Sequence, residues 1–301
     1  QTNAYGRADK AAAWLLLARL YLNAEVYTGT AQWAKAAEYA RKVMNTSYSL
    51  SPVYKHLFMA DNNGSSVNKA NTEIILPIIQ DGATTRNYGG SFFLIASTHK
   101  TNDMPPFGTT DGWGGNRCRP QLVRKFFPNN DAPETDKAEV MTKAAGDDRA
   151  LFFSKERSLS IDVESEFDKG YSFVKFSNLR ADGGTTNDSK FTDTDVPFMR
   201  LAEAYLTYAE AEVRRNGSST TAATEAINTL RKRASAHDHR KSARAADAVS
   251  HDFHVVSRAS QGDTGGAPLS CRCHRFGRCP PCAQNGGEAH GELGADAALC
   301  D

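Results

Sequence analysis

Residues 87–119 concentrate the side chains best suited to bind a ligand. They set the aromatic residues Tyr88, Phe107 and Trp113 among glycines and small polar residues. Sugar rings have flat C–H faces that stack on aromatic rings, and an aromatic side chain offers a large rigid contact area with a polar edge. Because glycines flank Trp113 on both sides, we expect it to project from a loop rather than a helix, where a glycan can reach it.

Polar side chains near Trp113 could bond the hydroxyl groups that surround a sugar ring. Asn116 and Arg117 follow Trp113 closely and offer amide and guanidinium donors. With Tyr88 as a second stacking residue, the candidate glycan-binding set is Trp113, Tyr88, Asn116 and Arg117. The alternative is that Trp113 is an internal plug that fixes the loop to the protein, and the residues alone leave both interpretations open.

A catalytic interpretation requires two carboxylates roughly 5 to 10 Å apart on either side of a glycosidic bond. Asp103 and Asp111 lie in the same loop as Trp113 and are the candidates. Carboxylates in loops more often cap turns or face water, which favours that role for both. No Ser-His-Asp set, nucleophile elbow or phosphate-binding glycine loop can be assembled, so no catalytic residue and no cofactor is predicted.

Metal binding is not predicted either. The sequence 61–64, DNNG, suggests a calcium loop but lacks the downstream Glu that closes one, so we interpret it as a turn. The C-terminal segment has a spacing that superficially resembles a zinc site. The residues concerned are Cys271, Cys273, His274, Cys279 and Cys282. Two prolines separate the last two cysteines and the flanks lack apolar residues, so we reject this interpretation.

The stretch Asp195 to Ala234 predicts the helical hairpin around which the rest of the chain is organised. Its apolar residues recur at helical spacing and form one stripe. The stripe comprises Phe198, Leu201, Ala202, Tyr205, Leu206, Tyr208, Ala209, Glu212 and Val213. We expect Asp195 to be the N-cap and Pro197 to lie in the first turn, where its missing N–H costs nothing.

A second helix completes this hairpin. Asn216 and Gly217 end the first helix because both tolerate the left-handed conformation, and Ser218 or Ser219 caps the next one. The many alanines on both helices allow close antiparallel packing. This pattern is typical of a tetratricopeptide-type hairpin.

A similar pattern occurs near the start of the chain. Residues 6–23 and 32–45 predict two helices in which large side chains alternate with alanines. We therefore predict a mainly α fold with tetratricopeptide-like helical hairpins at about 6–45 and 196–234, joined by a loop-rich insertion at about 73–194. Together they would form one domain over residues 1–234.

The insertion predicts only short regular elements. Residues 73–79 predict a strand that Pro77 excludes from the centre of a sheet. Residues 81–120 are loop-rich, and residues 128–146 suggest a polar surface excursion. Further expectations are a short helix around Tyr54, Leu57 and Phe58, a helix at 121–127, strands at 151–154 and 171–176, and a loop at 181–195.

Composition and the ends of the chain limit the possible classes of protein. The formal net charge of +1 argues against a nucleic-acid-binding protein, which usually has a clear basic excess. The longest apolar run, residues 11–18, is far shorter than the roughly 20 residues that cross a bilayer. Since the chain starts at Gln1 and soon enters a helix, we interpret it as a fragment. Only eight of the 67 residues from Ser235 onward are Leu, Ile, Val or Phe, which predicts a disordered tail or a frameshift artefact.

The segment DVPFMRLAEAYLTYAEAEVR, followed by EAINTLRKRA, resembles the helical hairpin of the SusD/RagB family. These are nutrient-binding outer-membrane lipoproteins of Bacteroidetes-type bacteria, and they have helical repeats split by a large irregular insertion. The chain up to Ala234 is similar to the middle of a starch-binding member. There, two Trp and a Tyr follow the curve of an α-glucan helix, and Trp113 and Tyr88 match two of these aromatics.

The resemblance also implies a partner and a location. Family members sit over a SusC-type TonB-dependent transporter and deliver glycan to it at the cell surface. It therefore implies a surface-exposed, lipid-anchored protein whose anchor lies outside this chain.

Three functions follow, in order of preference. The first is non-enzymatic binding of starch or another α-glucan oligosaccharide. The second is a glycoside hydrolase on a helical scaffold, and the third is a tetratricopeptide module that binds proteins and has no glycan site. The loop rich in glycine and aromatic residues disfavours the third, and the lack of a convincing carboxylate pair disfavours the second.

Overall fold

The computed structural model describes residues 4–235, and it confirms a mainly α fold of helical hairpins with a few short strands. The helices of this part are α1 Lys10–Leu22, α2 Ala24–Thr28, α3 Trp33–Met44, α4 Gly90–Ala96, α5 Pro120–Val123, α6 Ala138–Ala145, α7 Leu201–Asn216 and α8 Thr221–Arg233. The strands are β1 Ile74–Ile78, β2 Phe152–Phe153, β3 Ser172–Phe173 and β4 Val196–Arg200. Two 3-10 helices, Lys55–Phe58 and Ala70–Thr72, precede β1. The predicted tail and its cysteines lie outside the described residues, except for Ser235.

Helices α1, α3, α7 and α8 form a scaffold that brings the two hairpins together. Helix α3 packs against both α1 and α7, and α7 packs against α8. Their shared core consists mainly of buried alanines, among them Ala18, Ala36, Ala40, Ala209 and Ala223. Small side chains let the helix backbones approach closely, so two hairpins far apart in sequence form one layer.

The predicted start of α7 is wrong. Residues Val196–Arg200 form strand β4, and the helix begins at Leu201. Asp195 is not an N-cap: its buried carboxylate accepts hydrogen bonds from the Tyr5 hydroxyl (2.8 Å) and the Gln80 amide (2.7 Å). The burial alternates over Val196–Met199, as it does in a strand, and β4 pairs with β1.

Strands β1 and β4 pair antiparallel and join the two ends of the insertion, residues 73–194. Pro77 lies opposite Pro197, so neither position requires the N–H that proline lacks. The structure thus confirms a strand within residues 73–79. The buried Glu73 carboxylate, just before β1, accepts hydrogen bonds from Arg200 (2.9 Å) and Arg233 (2.6 Å), which ties this point to α8.

The turn between α7 and α8 is partly as predicted. Gly217 adopts the left-handed conformation (φ 69°) and ends α7. The N-cap of α8 is Thr220, not Ser218 or Ser219, because its hydroxyl accepts the hydrogen bond from the Ala223 amide (3.1 Å). The sequence has four consecutive hydroxyl residues there, Ser218 to Thr221, and the third of them is the cap.

The insertion contains two helices that the sequence did not predict. Helix α4 lies in the stretch expected to be loop, and α6 lies in the expected polar excursion, where Met141 is fully buried. The expected helix at 121–127 is the shorter α5, and the short helix expected near Tyr54 is a 3-10 helix. Strands β2 and β3 pair within the expected ranges.

Candidate functional site

Helix α4 positions the aromatic residues of the site. Tyr88 comes just before its first turn, and Phe92 lies on its buried side. Gly90 opens the helix with a φ of 57°, a conformation that favours glycine. This turn places Tyr88 at the surface, beside the ring of Phe92 (centroids 5.7 Å apart).

The loop that carries Trp113 is attached to the C-terminal end of the same helix. The amide of Trp113 donates to the carbonyl oxygen of Ala96 (2.8 Å), and the amide of Gly114 donates to that of His99 (2.7 Å). The amide of Asn116 donates to the Ser97 carbonyl (2.8 Å). The last carbonyls of a helix have no partner within the helix, so they are free to hold a neighbouring loop.

Tyr88 and Trp113 are neighbours at the surface. Their side chains are exposed, Tyr88 by 58% and Trp113 by 44%. The ring centroids are 6.2 Å apart and the ring planes are inclined by 37°. Beneath them lie Phe92, whose centroid is 5.2 Å from that of Trp113, and Phe191, 5.7 Å from Tyr88. We call Tyr88, Phe92, Trp113 and Phe191 the aromatic platform.

Phe191 reaches the platform from a distant loop. Its amide and that of Lys190 both donate to the Asp188 carboxylate (3.0 and 2.7 Å), which fixes a tight turn. Asp188 also pairs with Arg86, two residues before Tyr88 (3.1 Å). This ion pair therefore fixes the positions of the two loops relative to each other.

An ion pair lies beside the platform. The Lys190 ammonium is 2.8 Å from the Asp111 carboxylate and 5.2 Å from the centre of the Tyr88 ring. The Lys190 ammonium and a hydrogen bond from the Thr110 hydroxyl (3.2 Å) lower the pKa of Asp111, and the Asp111 carboxylate raises the pKa of Lys190. Both groups are therefore charged at neutral pH.

The two polar candidates make contacts within the protein. The Asn116 amide group donates to the Ser97 hydroxyl (2.9 Å), which keeps it near the Trp113 loop. The Arg117 guanidinium donates to the carbonyl oxygens of Glu166 (2.6 Å) and Glu164 (2.8 Å). Arg117 thus fastens a neighbouring loop, and its role towards a glycan stays a prediction, as does that of Asn116.

The other residues of the loop have separate roles. Phe107 is 5% exposed and stacks on the buried His99 ring (centroids 4.3 Å apart), so it is a core residue rather than a surface one. Asp103 pairs with Lys100 (2.6 Å), whereas Asp111 pairs with Lys190. Each carboxylate is paired with its own lysine, and a lowered pKa makes Asp111 a poor proton donor.

Comparison with known proteins identifies the family. Residues 112–258 match the model of the SusD family. The starch-binding protein SusD of Bacteroides thetaiotaomicron is 48% identical over an alignment of 260 positions that covers 76% of this chain and 46% of that protein. The chain belongs to the SusD family. It spans about half the length of the relatives it matches.

Solved SusD-like structures share the fold. A SusD superfamily protein from Parabacteroides distasonis superposes with a TM-score of 0.60 at 18% identity, covering 85% of this chain and 51% of that protein. A laminarin-binding SusD-like protein superposes with a TM-score of 0.57 at 20% identity, covering 86% and 53%. At these identities the likeness establishes the fold of this SusD-family chain and no more.

Other described features of this SusD-family chain do not add a second glycan-binding site. A cavity of about 340 Å³ lies between α3 and α7, and four of its five charged lining residues form ion pairs, Lys42 with Glu38 (2.7 Å) and Arg215 with Glu212 (2.9 Å). Among residues 4–235, no group of His, Cys, Asp and Glu has the geometry of a metal site. In the same range, no helix combines the length and apolar character needed to span a bilayer.

Sequence reasoning missed several residues of the site. Phe92 could have been predicted, because Phe92, Ile95 and Ala96 have helical spacing. The glycines on either side instead favoured the prediction of a loop. Asp111 was considered only as a catalytic carboxylate. Lys190 and Phe191 gave no local signal, since about 75 residues separate them from Trp113 and only the fold brings them together.

Proposed function

We propose that this chain carries the glycan-binding site of a non-catalytic protein that binds starch or other α-glucan oligosaccharides. The observation that carries the proposal is the pair of exposed rings, Tyr88 and Trp113, packed on the buried Phe92 and the half-buried Phe191. SusD-family proteins are carbohydrate-binding and non-catalytic. The rings are inclined by 37° rather than coplanar, which suits a sugar chain that curves, as α-1,4-glucans do.

The name of the 48%-identical relative, a starch-binding protein, supports this class of ligand. Affinity would come from stacking on a preformed surface, which loses little conformational entropy on binding. Removing a central aromatic residue from a binding surface typically costs about 2 kcal/mol or more, roughly 30-fold in affinity.

Affinity electrophoresis in amylopectin gels tests the proposal. We expect retardation of the chain, with most of it lost in Trp113→Ala and Tyr88→Ala. Phe198→Ala and Tyr27→Ala are matched controls, because these aromatics are 45% and 67% exposed and lie on β4 and α2. A Trp113→Ala variant retarded as strongly as the parent would refute the site, and a folded parent without retardation would refute the ligand.

The hydrolase alternative has less support. Asp103 and Asp111 are each paired with a lysine. We expect no release of reducing sugar from amylopectin or maltoheptaose. Sugar release that disappears in Asp103→Asn or Asp111→Asn would reverse this order.

We also propose, from family membership, that the whole protein is lipid-anchored at the outer membrane and delivers glycan to a SusC-type TonB-dependent transporter. A tagged full-length protein should co-purify with such a barrel protein from detergent-solubilised membranes. Purification without any barrel protein, at a detergent concentration that preserves known complexes, would contradict the partner.

A further inference from the structure

We propose that the cavity between α3 and α7 is a docking groove for an extended acidic segment of a partner protein, and that the guanidinium of Arg41 binds a carboxylate of that segment. The cavity is lined along α3 from Ala34 to its C-cap Asn45, and along α7 by Glu212 and Arg215. We call it the scaffold groove. It lies outside the aromatic platform, so this inference goes beyond the proposed glycan binding and does not rest on it.

The scaffold groove has the dimensions of a short extended peptide. Its volume is about 340 Å³, and the lining from Ala34 to Asn45 spans about 16 Å at a rise of about 1.5 Å per residue. An extended peptide advances by about 3.3 Å per residue, so the groove accommodates about five residues. Ala34 and Ala37 contribute only methyl groups to the lining, which lets a peptide backbone approach the helices closely.

The charges of the groove leave one cation without a carboxylate partner. Glu38 pairs with Lys42 (2.7 Å) on α3, and Glu212 pairs with Arg215 (2.9 Å) on α7. Arg41 also lines the groove, and no carboxylate of residues 4–235 is paired with it. The lining therefore has one net positive charge, which is complementary to an acidic ligand.

Arg41 is held in position for such a ligand. Its guanidinium donates a hydrogen bond to the Tyr208 hydroxyl and lies 4.9 Å from the centre of the Tyr208 ring. Tyr208 is 4% exposed and packs in the alanine core of the scaffold, so its position is fixed. A guanidinium has five N–H donors in a planar fork that fits a carboxylate, and the bond to Tyr208 uses one of them. Because Arg41 is already ordered, little side-chain entropy is lost when a carboxylate binds.

The lining favours a peptide over an acidic sugar chain. Sugar rings stack on aromatic faces, and no aromatic side chain is among the described residues that line the groove. Tyr39 is covered by the Lys42 ammonium, which lies 4.3 Å from the centre of its ring. A peptide backbone needs both donors and acceptors, and the Asn45 amide and the Glu38 carboxylate offer them.

A peptide array probed with the labelled chain tests the scaffold groove. The array holds acidic, neutral and basic pentapeptides of varied order. We expect the bound peptides to be enriched in aspartate and glutamate, and this enrichment to disappear in Arg41→Gln. No bound peptide, binding without an acidic preference, or an acidic preference that Arg41→Gln retains would each overturn the proposal.

Fluorescence anisotropy with the strongest acidic pentapeptide measures the contribution of each residue. Arg41→Gln should weaken binding about tenfold, and Tyr208→Phe, which removes the hydroxyl that holds Arg41, about threefold. Lys35→Gln is the matched control and should bind as the parent does. Lys35 is another exposed cation of α3, but it lies against Tyr21, outside the groove lining (5.3 Å from the ring centre). Equal affinities of Arg41→Gln and Lys35→Gln would contradict the role of Arg41.

Two sugars separate the scaffold groove from the aromatic platform and from an acidic glycan site. Maltoheptaose affinity should not change in Arg41→Gln, and peptide affinity should not change in Trp113→Ala, so the two proposals can fail independently. Trigalacturonate, a sugar chain that carries carboxylates, should not displace the acidic pentapeptide. Displacement by trigalacturonate would show that the groove binds acidic sugars and would overturn the peptide assignment.

Discussion

The helical scaffold and the insertion bury different kinds of side chain. The scaffold core is built from alanines on α1, α3, α7 and α8. The insertion buries large aromatic rings, such as Phe92, Phe107 and Phe152, together with polar groups, such as Ser91 and His99. The scaffold depends on a repeated pattern of small residues, whereas the insertion depends on individual contacts between distant loops.

This difference separates support from recognition. Close packing between the scaffold helices requires small side chains at many positions. Few of these positions can therefore change to form a binding site. Loops held by specific hydrogen bonds can present side chains at angles that no helix face offers. The site lies in the insertion, and its two exposed aromatic rings are held at the two ends of α4. Substitutions in the two regions should therefore separate stability from binding.

The largest effect is expected for Phe92→Ala. Removing a fully buried Phe costs about 3 to 5 kcal/mol of unfolding free energy, and here it also removes the base of both exposed rings. Phe152 is equally buried (1%) but lies in the core around β2. Phe152→Ala should cost a similar free energy in urea unfolding yet keep amylopectin retardation. Equal losses of binding in both folded variants would mean that the platform is not a separate unit.

The largest pH effect should come from the insertion. Burial lowers the pKa of His99 to about 4, from an ordinary value of 6.5. The unfolded chain then binds this proton more readily than the folded chain, so stability falls as the pH drops from about 6.5 to about 4. The loss amounts to about 3 kcal/mol.

Urea unfolding at several pH values checks this effect. His99→Phe should flatten the pH dependence over that range, because the titrating group is removed. His56→Phe, which removes the other histidine of residues 4–235, should retain most of it, since His56 is less deeply buried. A His99→Phe variant that keeps the full pH dependence would show that other groups cause it.

The smallest effect is expected for alanine substitutions at two glycines that have the same backbone conformation. Gly114, next to Trp113, and Gly217, at the end of α7, both have a φ of 69°. Alanine at either position should cost about 1 to 2 kcal/mol, because side chains disfavour this conformation. An added Cβ at Gly217 meets no atom within 4 Å, whereas at Gly114 it meets the Phe167 ring at 3.1 Å.

Only Gly114→Ala should therefore weaken glucan binding. Thermal unfolding measures the shared backbone cost, and calorimetry with maltoheptaose measures the difference. Equal affinities in the two variants would show that the Trp113 loop tolerates displacement, which would contradict the role given to its attachment to α4.

The sequence predicts the scaffold well because its information is local. The alanine spacing that predicts each helix lies within that helix, and Gly217, which ends α7, directly follows it. It misplaces the start of α7 because Val196–Arg200 fits a strand or a helix equally, and only pairing with β1 decides. It predicts Trp113 and Tyr88 as site residues by residue type, but it does not predict Lys190 or the other residues that contact them. Those residues are brought together by contacts between loops, and such contacts follow no regular spacing in the sequence.

A crystal structure of the chain with bound maltoheptaose would test the central claim most directly. We expect one sugar stacked on Trp113 and a neighbouring sugar on Tyr88, with ring atoms within about 4.5 Å of the aromatic planes. We also expect that the ion pair of Asp111 and Lys190 is retained. A sugar chain bound elsewhere on the folded protein, with Tyr88 and Trp113 uncovered, would contradict it.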